Sequence, residues 1–110
     1  MNTMDQHFAL LDALRSEKDP QRQKTICIND IALVDQFNKE YINEYGKPLP
    51  KSYPSFKKLA VIYEKEGDYL EAIDVCKKAI AAGYKQDGTQ GGMPARMKKL
   101  KEKSIKERSK

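Results

Sequence analysis

Residues 54–84 of this 110-residue chain read PSFKKLAVIYEKEGDYLEAIDVCKKAIAAGY, and their spacing predicts two antiparallel helices. Apolar residues recur every three or four positions on both sides of Gly67-Asp68, as they do on the buried faces of paired helices. Glycine supplies the dihedral angles that a tight interhelical turn needs. We therefore expect helices over 54–66 and 69–82, with Gly83 closing the second. The facing sets are Phe56, Leu59 and Tyr63 on the first helix and Ile73, Cys76 and Ile80 on the second.

The order of large, small and aromatic residues in this hairpin resembles one tetratricopeptide repeat (TPR), present in a single copy over 54–84. The matching positions are Phe56-x-x-Leu59-Ala60-x-x-Tyr63, Gly67-Asp68-Tyr69, Ala72-Ile73, Cys76 and Ala79-Ile80. The departures are Phe56 where Trp is commonest, Ala60 where Gly is, Cys76 where Phe is, and Tyr84 near the usual closing proline. The resemblance implies a helical scaffold that acts as a protein-interaction module or small adaptor.

A single TPR-like hairpin cannot bury both of its faces, because stable repeat arrays usually need about three copies. We expect helices at 31–45 and 93–103 to complete the core, which predicts an all-α bundle of about five helices. Stacking of two chains in a homo-oligomer is the alternative. With neighbouring helices completing the core, residues 1–103 form a single domain, and residues 104–110 form a basic, frayed C-terminal tail.

The first helix is expected over 3–17, where apolar residues follow a helical period. Thr3 and Gln6 have the spacing of a capping box, which predicts Thr3 as the cap. Asp19-Pro20 then predicts the start of another helix, because Asp favours the cap and Pro the first helical position.

Residues 21–45 form either one helix or two. Asn29-Asp30 could cap a new helix or interrupt a continuous one, and the sequence leaves both open. Gly46 is typical of a helix C-terminus. The proline-rich residues 46–54 are then a stiff connector that packs its apolar side chains on the helices.

The formal net charge of +5 is concentrated at one end of the chain. Residues 1–84 have 12 basic and 13 acidic side chains, whereas residues 85–110 have 9 basic and 3 acidic ones. The glycine-rich segment 87–92 lacks the Gly-Lys-Ser/Thr ending of a phosphate-binding loop. We interpret it as a connector to the last helix, with anion binding at that helix start as the alternative.

The TPR resemblance implies a protein-binding surface on the first helix of the hairpin. The residues on that surface are Lys57, Val61, Glu64 and Lys65. Family members that clamp a terminal carboxylate have a Lys and an Asn where this chain has Lys57 and Val61, so one clamp residue is missing. Lys57 and Lys65 are equally explained as solvated surface.

A basic C-terminal helix is the alternative functional surface, through contact with nucleic acid. Its candidate residues are Arg96, Lys98, Lys99, Lys101, Lys103 and Lys106. Several lysines that neutralise phosphates give salt-sensitive, sequence-independent binding. No aromatic residue lies in 85–110, so base stacking is not available there. The same charges are also explained as a solvated helix end that complements the helix dipole.

Other classes of function find little support in the sequence. His7 is the only histidine, and Cys27 and Cys76 are far apart, so no catalytic triad and no zinc-ligand spacing occurs. We expect both cysteines to be buried thiols, with a disulfide between them as the alternative. We predict a non-enzymatic protein without cofactor or metal.

No apolar run approaches the roughly 20 residues of a membrane span, and the N-terminus does not resemble a secretory signal. The expected location is cytoplasmic.

Overall fold

Every regular element of the computed structural model, which describes residues 2–108, is an α-helix. The helices are α1 (Thr3–Ser16), α2 (Pro20–Ile31), α3 (Val34–Tyr45), α4 (Pro54–Lys65), α5 (Tyr69–Ala81) and α6 (Gly92–Arg108). The all-α prediction is confirmed, but its count of about five helices becomes six. The chain divides between Pro50 and Lys51 into two compact units. The prediction that 1–103 is a single domain stays a prediction.

The N-terminal unit contains α1, α2 and α3, with α1 packed against the other two. The cap of α1 is Asn2 rather than the predicted Thr3, because the Asn2 side chain accepts a hydrogen bond from the Asp5 N–H (2.8 Å). Asp19 and Pro20 start α2 as predicted, and Asp19 accepts from the Gln21 N–H (3.1 Å).

Residues 21–45 form two helices, and the break falls at Ala32-Leu33 rather than at Asn29-Asp30. Neither Gly nor Pro marks this break, so the usual sequence signals do not reveal it. The Leu33 N–H donates to the Asp30 carbonyl (3.0 Å), which forms the turn between α2 and α3. Gly46 ends α3 as predicted, with a φ of 76°.

The C-terminal unit is built around α5, which packs against α4 on one side and α6 on the other. Ala60, Ala72 and Ala79 have no exposed surface, which confirms that small residues stand where these helices approach closely. The turn between α4 and α5 is also as predicted. Gly67 has a φ of 78°, and the Asp68 N–H donates to the Tyr63 carbonyl (2.8 Å).

Three buried aromatic rings pack against one another in the C-terminal unit. Tyr53, Phe56 and Tyr84 are all buried, and their ring centroids lie 5.4 to 6.2 Å apart. Burial of each ring contributes about 1.5–3 kcal/mol to folding. Tyr84 therefore packs its side chain into the core of the C-terminal unit.

The last helix is longer than the sequence predicted. It begins at Gly92 and continues to Arg108, beyond the expected end at residue 103. Met93 and Leu100 are buried, whereas Ile105 is 63% exposed. Of the predicted tail 104–110, residues 109 and 110 lie outside the described residues, and fraying of the tail stays a prediction.

Candidate functional site

A groove of about 400 Å³ runs along α6 in the C-terminal unit, and we call it the α6 groove. It is lined by Glu64 of α4, Thr89 and Gln90 of the preceding loop, and Ala95, Arg96, Lys99, Leu100 and Lys103 of α6. Arg96, Lys99 and Lys103 follow a spacing of three and four residues, which places them on one stripe of the helix. The groove therefore has a row of cations along one wall and a single carboxylate opposite.

Asp87 fixes the loop that forms one end of this groove. Its Oδ1 accepts hydrogen bonds from the Thr89 N–H (2.9 Å) and from the Thr89 hydroxyl, and its Oδ2 accepts from Arg96 Nε (2.8 Å). The Asp87 side chain is fully buried, and that of Arg96 is 16% exposed. Burial alone raises the pKa of Asp87, but the hydrogen bonds from Thr89 and Arg96 outweigh it and lower that pKa below its ordinary value. The carboxylate is thus held in its charged form.

The pair with Asp87 also orients Arg96. Arg96 donates to Asp87 through its Nε–H, which is one of the five N–H donors of the guanidinium group. Within residues 2–108, the terminal amino groups of Arg96 have no hydrogen-bond partner. Arg96 lines the groove and its guanidinium group is held by Asp87, so a ligand that contacts this side chain needs to order it little further.

Glu64 reaches Lys103 from the opposite wall of the α6 groove. The Lys103 ammonium donates to Glu64 Oε2, and this hydrogen bond raises the pKa of Lys103. The pair is partly solvated, with side-chain exposures of 50% for Lys103 and 26% for Glu64. Lys99 is exposed and has no ion-pair partner in the described part of the chain. Lys99 is therefore available to an anionic ligand, and Lys103 is shared with Glu64.

A second, smaller cavity of about 110 Å³ lies at the start of α4. It is lined by Ser52, Tyr53, Pro54, Phe56, Lys57, Tyr84, Gln86, Asp87 and Met93. Asp87 lines this cavity while its partner Arg96 lines the α6 groove, so the ion pair joins the walls of the two concavities. The small cavity has the size of one side chain, with aromatic walls and Lys57 as its cation.

The two predicted sets of site residues meet only in part. Glu64 from the predicted protein-binding set lines the same groove as Arg96, Lys99 and Lys103 from the predicted nucleic-acid-binding set. Lys57 lines the small cavity, and half-buried Val61 lies between Lys57 and Glu64 in the helical spacing of α4. The remaining predicted residues are exposed and line neither concavity: Lys65, Lys98, Lys101 and Lys106.

Sequence reasoning missed Asp87, Thr89 and Gln90 as site residues. The Asp-Gly-Thr order is itself a signal, because an Asp side chain commonly bonds the backbone two residues on. That signal predicts the bond to the Thr89 N–H, but it does not indicate that Arg96 completes the site from α6.

His7, expected to stand alone, has a buried partner in the N-terminal unit. Its Nδ1 lies 2.6 Å from Asp30 Oδ1, and both residues are almost fully buried beside the Phe37 ring. No substrate-sized opening reaches the pair among the cavities that we describe. Its role here is to satisfy two polar groups inside a core.

The described residues include two buried cysteines and no cluster that could hold a metal ion. Both cysteines are buried and neither forms a disulfide, as predicted. Burial raises the pKa of the Cys76 thiol to about 11, which makes it a poor nucleophile at neutral pH. Residues 2–108 contain no group of three or more His, Cys, Asp or Glu side chains placed to hold a metal ion. No described helix is long and apolar enough to cross a membrane.

Comparison of the chain with known protein families, with curated protein sequences and with solved structures finds no match. The geometry of the C-terminal unit is therefore the basis on which we infer function.

Proposed function

We propose that this protein is a non-catalytic interaction module, or small adaptor, that binds a peptide segment of another protein in the α6 groove. The observation that carries the proposal is the groove itself, which has a volume of about 400 Å³ and contains the Arg96 side chain that is paired with buried Asp87. Such a volume is within the range of known ligand sites, which is roughly 300–1,000 Å³. A TPR-like interpretation of α4 and α5 supports the same function, since family members bind peptides along the first helix of each pair.

The chemistry of the lining suits an extended peptide. Ala95 and Leu100 supply apolar surface for side chains, while the Gln90 amide supplies a donor and an acceptor, and the Thr89 hydroxyl oxygen a further acceptor, for the peptide backbone. The α4 residues at Lys57, Val61 and Glu64 extend this surface towards the small cavity, which can hold one anchoring side chain. A ligand fixed at both places gains affinity because the protein walls are already ordered.

Selection from a random-peptide library on the full-length protein tests this proposal. Lys99→Glu alters the α6 groove, and Lys77→Glu is a matched control because Lys77 is an exposed helical lysine on α5 that lines neither concavity. We expect selected peptides to bind wild type and Lys77→Glu equally and to bind Lys99→Glu about tenfold more weakly. Failure to enrich any peptide, or equal binding to all three proteins, contradicts the proposal.

Nucleic-acid binding is a second candidate function, supported by a different part of α6. Lys98, Lys101 and Lys106 are exposed, lie outside the groove lining, and form no ion pair within residues 2–108. A backbone-contacting surface of this kind predicts affinity for single-stranded DNA that falls steeply with salt. The double variant Lys98→Glu/Lys101→Glu should then abolish retention of an oligonucleotide, whereas Lys99→Glu in the groove has a smaller effect. Retention by the double variant at low salt rules this function out.

A further inference from the structure

We propose that the α6 groove selects acidic, carboxylate-rich peptide segments, and that Glu64 is a built-in competitor which the ligand displaces from Lys103. This inference rests on the proposed function, because it names the chemical class of peptide that the same groove accepts. It adds a role for Glu64 that neither the TPR resemblance nor the sequence pattern assigns.

The charge of the groove indicates its ligand. Its lining contains the cations Arg96, Lys99 and Lys103 and the single carboxylate Glu64. Asp87 pairs with Arg96 and offsets part of its positive charge. The Asp87 side chain is fully buried beneath the groove wall. A groove with excess positive charge attracts anionic segments and repels cationic ones, which sets both association rate and specificity.

The ion pair between Lys103 and Glu64 shows that the groove accommodates a carboxylate from the side opposite α6. Glu64 belongs to α4, so its carboxylate approaches Lys103 from across the groove, as a ligand carboxylate would. The pair is partly solvated, and such pairs contribute only about 0.2–1 kcal/mol. A ligand carboxylate can therefore exchange with Glu64 at little cost, while Arg96 and Lys99 hold further acidic side chains.

The lining favours a peptide over a nucleic acid as the anionic ligand. None of the groove-lining residues is aromatic, so the groove offers no aromatic ring on which successive bases can stack. Glu64 repels phosphates and ligand carboxylates alike, but the sugar–phosphate backbone of DNA has no hydrogen-bond donor between its charges that could pair with Glu64. An acidic peptide has neutral backbone N–H groups between its carboxylates, and these can donate to Glu64 once Lys103 is occupied by the ligand.

Fluorescence anisotropy with three labelled probes tests the inference on the full-length protein. The probes are hexaglutamate, hexaglutamine and a single-stranded oligonucleotide of six thymidines. We expect hexaglutamate to bind wild type more tightly than the other two. Glu64→Gln should tighten its binding by about two- to fivefold, because the competitor is removed and Gln retains the size of Glu. Lys99→Glu should weaken it by about tenfold, and the matched Lys77→Glu should leave it unchanged. Unchanged far-UV circular dichroism of each variant establishes that it is folded.

Each of three results would overturn the inference. They are hexaglutamate binding that Lys99→Glu does not weaken, binding that Glu64→Gln does not tighten, and preference for the oligonucleotide over hexaglutamate. The library selection separates this failure from failure of the proposed function. Peptides that need Lys99 but contain no excess of acidic residues refute the ligand class alone, whereas the absence of any peptide that needs Lys99 refutes the binding function itself.

Discussion

The ion pair of Asp87 with Arg96 should make a large and non-additive contribution to the stability of the C-terminal unit. We consider three variants: Asp87→Ala, Arg96→Met and the two combined. Methionine keeps much of the aliphatic stem of Arg96, so the change removes the charge and the hydrogen-bond donors with little loss of packing. Asp87→Ala removes the acceptor of three hydrogen bonds in a fully buried position.

The expected cost follows from the burial of the two side chains. Removal of one partner from a buried pair typically costs about 3–5 kcal/mol, because the remaining charge is left without compensation. Because the Arg96 side chain is 16% exposed, water can partly solvate its charge when Asp87 is absent. We therefore expect Asp87→Ala to lower the free energy of unfolding by about 3 kcal/mol, the lower end of this range. Arg96→Met leaves a buried carboxylate with hydrogen bonds from Thr89 alone, and we expect a similar loss. The double variant should be more stable than the sum of the two losses by about 2 kcal/mol.

Urea denaturation followed by far-UV circular dichroism at neutral pH measures these free energies. Losses that add to within about 0.5 kcal/mol would refute the coupling.

The pH dependence of stability gives an independent check of the role of Asp87. The pKa of Asp87 is lower in the folded state than its ordinary value of 3.8, so its contribution is present above that value and is lost as pH falls through the folded pKa. The stability difference between wild type and Asp87→Ala should therefore shrink as the pH falls below that ordinary value.

Three further predictions concern other parts of the chain. Gly92→Ala should destabilise by at least about 2 kcal/mol in urea, because φ is +60° and an added Cβ would clash with the Lys85 carbonyl oxygen. Gly88→Ala, with φ +84° and open space, should cost only about 1 kcal/mol, and equal losses would contradict the close approach. The Cys76 thiol should resist iodoacetamide at pH 8 until urea unfolds the protein; mass spectrometry showing rapid native alkylation would refute its burial. Asp30→Ala should lower the free energy of unfolding by about 2–3 kcal/mol, because it removes the buried carboxylate that lies 2.6 Å from His7 Nδ1, and thermal denaturation indistinguishable from wild type would refute this.

The C-terminal unit shows which parts of the site follow from local sequence. The bounds of α4 and α5 agree with prediction to within one residue, because Pro54, Gly67 and Gly83 mark their ends and apolar spacing marks their buried faces. The same reasoning placed Arg96, Lys99 and Lys103 among the site residues. It did not predict that Glu64 shares their groove, because a helical period reveals which face of one helix is polar but not which neighbour that face meets.

In the N-terminal unit, sequence signals did not locate one helix break, one helix cap and one buried pair of side chains. The break between α2 and α3 has no Gly or Pro, and the cap of α1 shifted by one residue to Asn2. Short-range signals are ambiguous when two adjacent polar residues can each cap a helix. His7 was expected to be alone, and the structure pairs it with Asp30, 23 residues away.

The sequence by itself therefore determined the helical class, the positions of most helix ends, and the small residues at which α5 meets its neighbours. These features depend on interactions between residues a few positions apart, which a single sequence displays directly. Only the tertiary structure decided that Asp87 holds Arg96 and that Glu64 reaches Lys103, 39 residues away. Such pairs form because packing of α4, α5 and α6 brings distant polar groups together, and no local pattern specifies that arrangement. The feature on which the proposed function depends, a cationic groove with one opposing carboxylate, belongs to this second class.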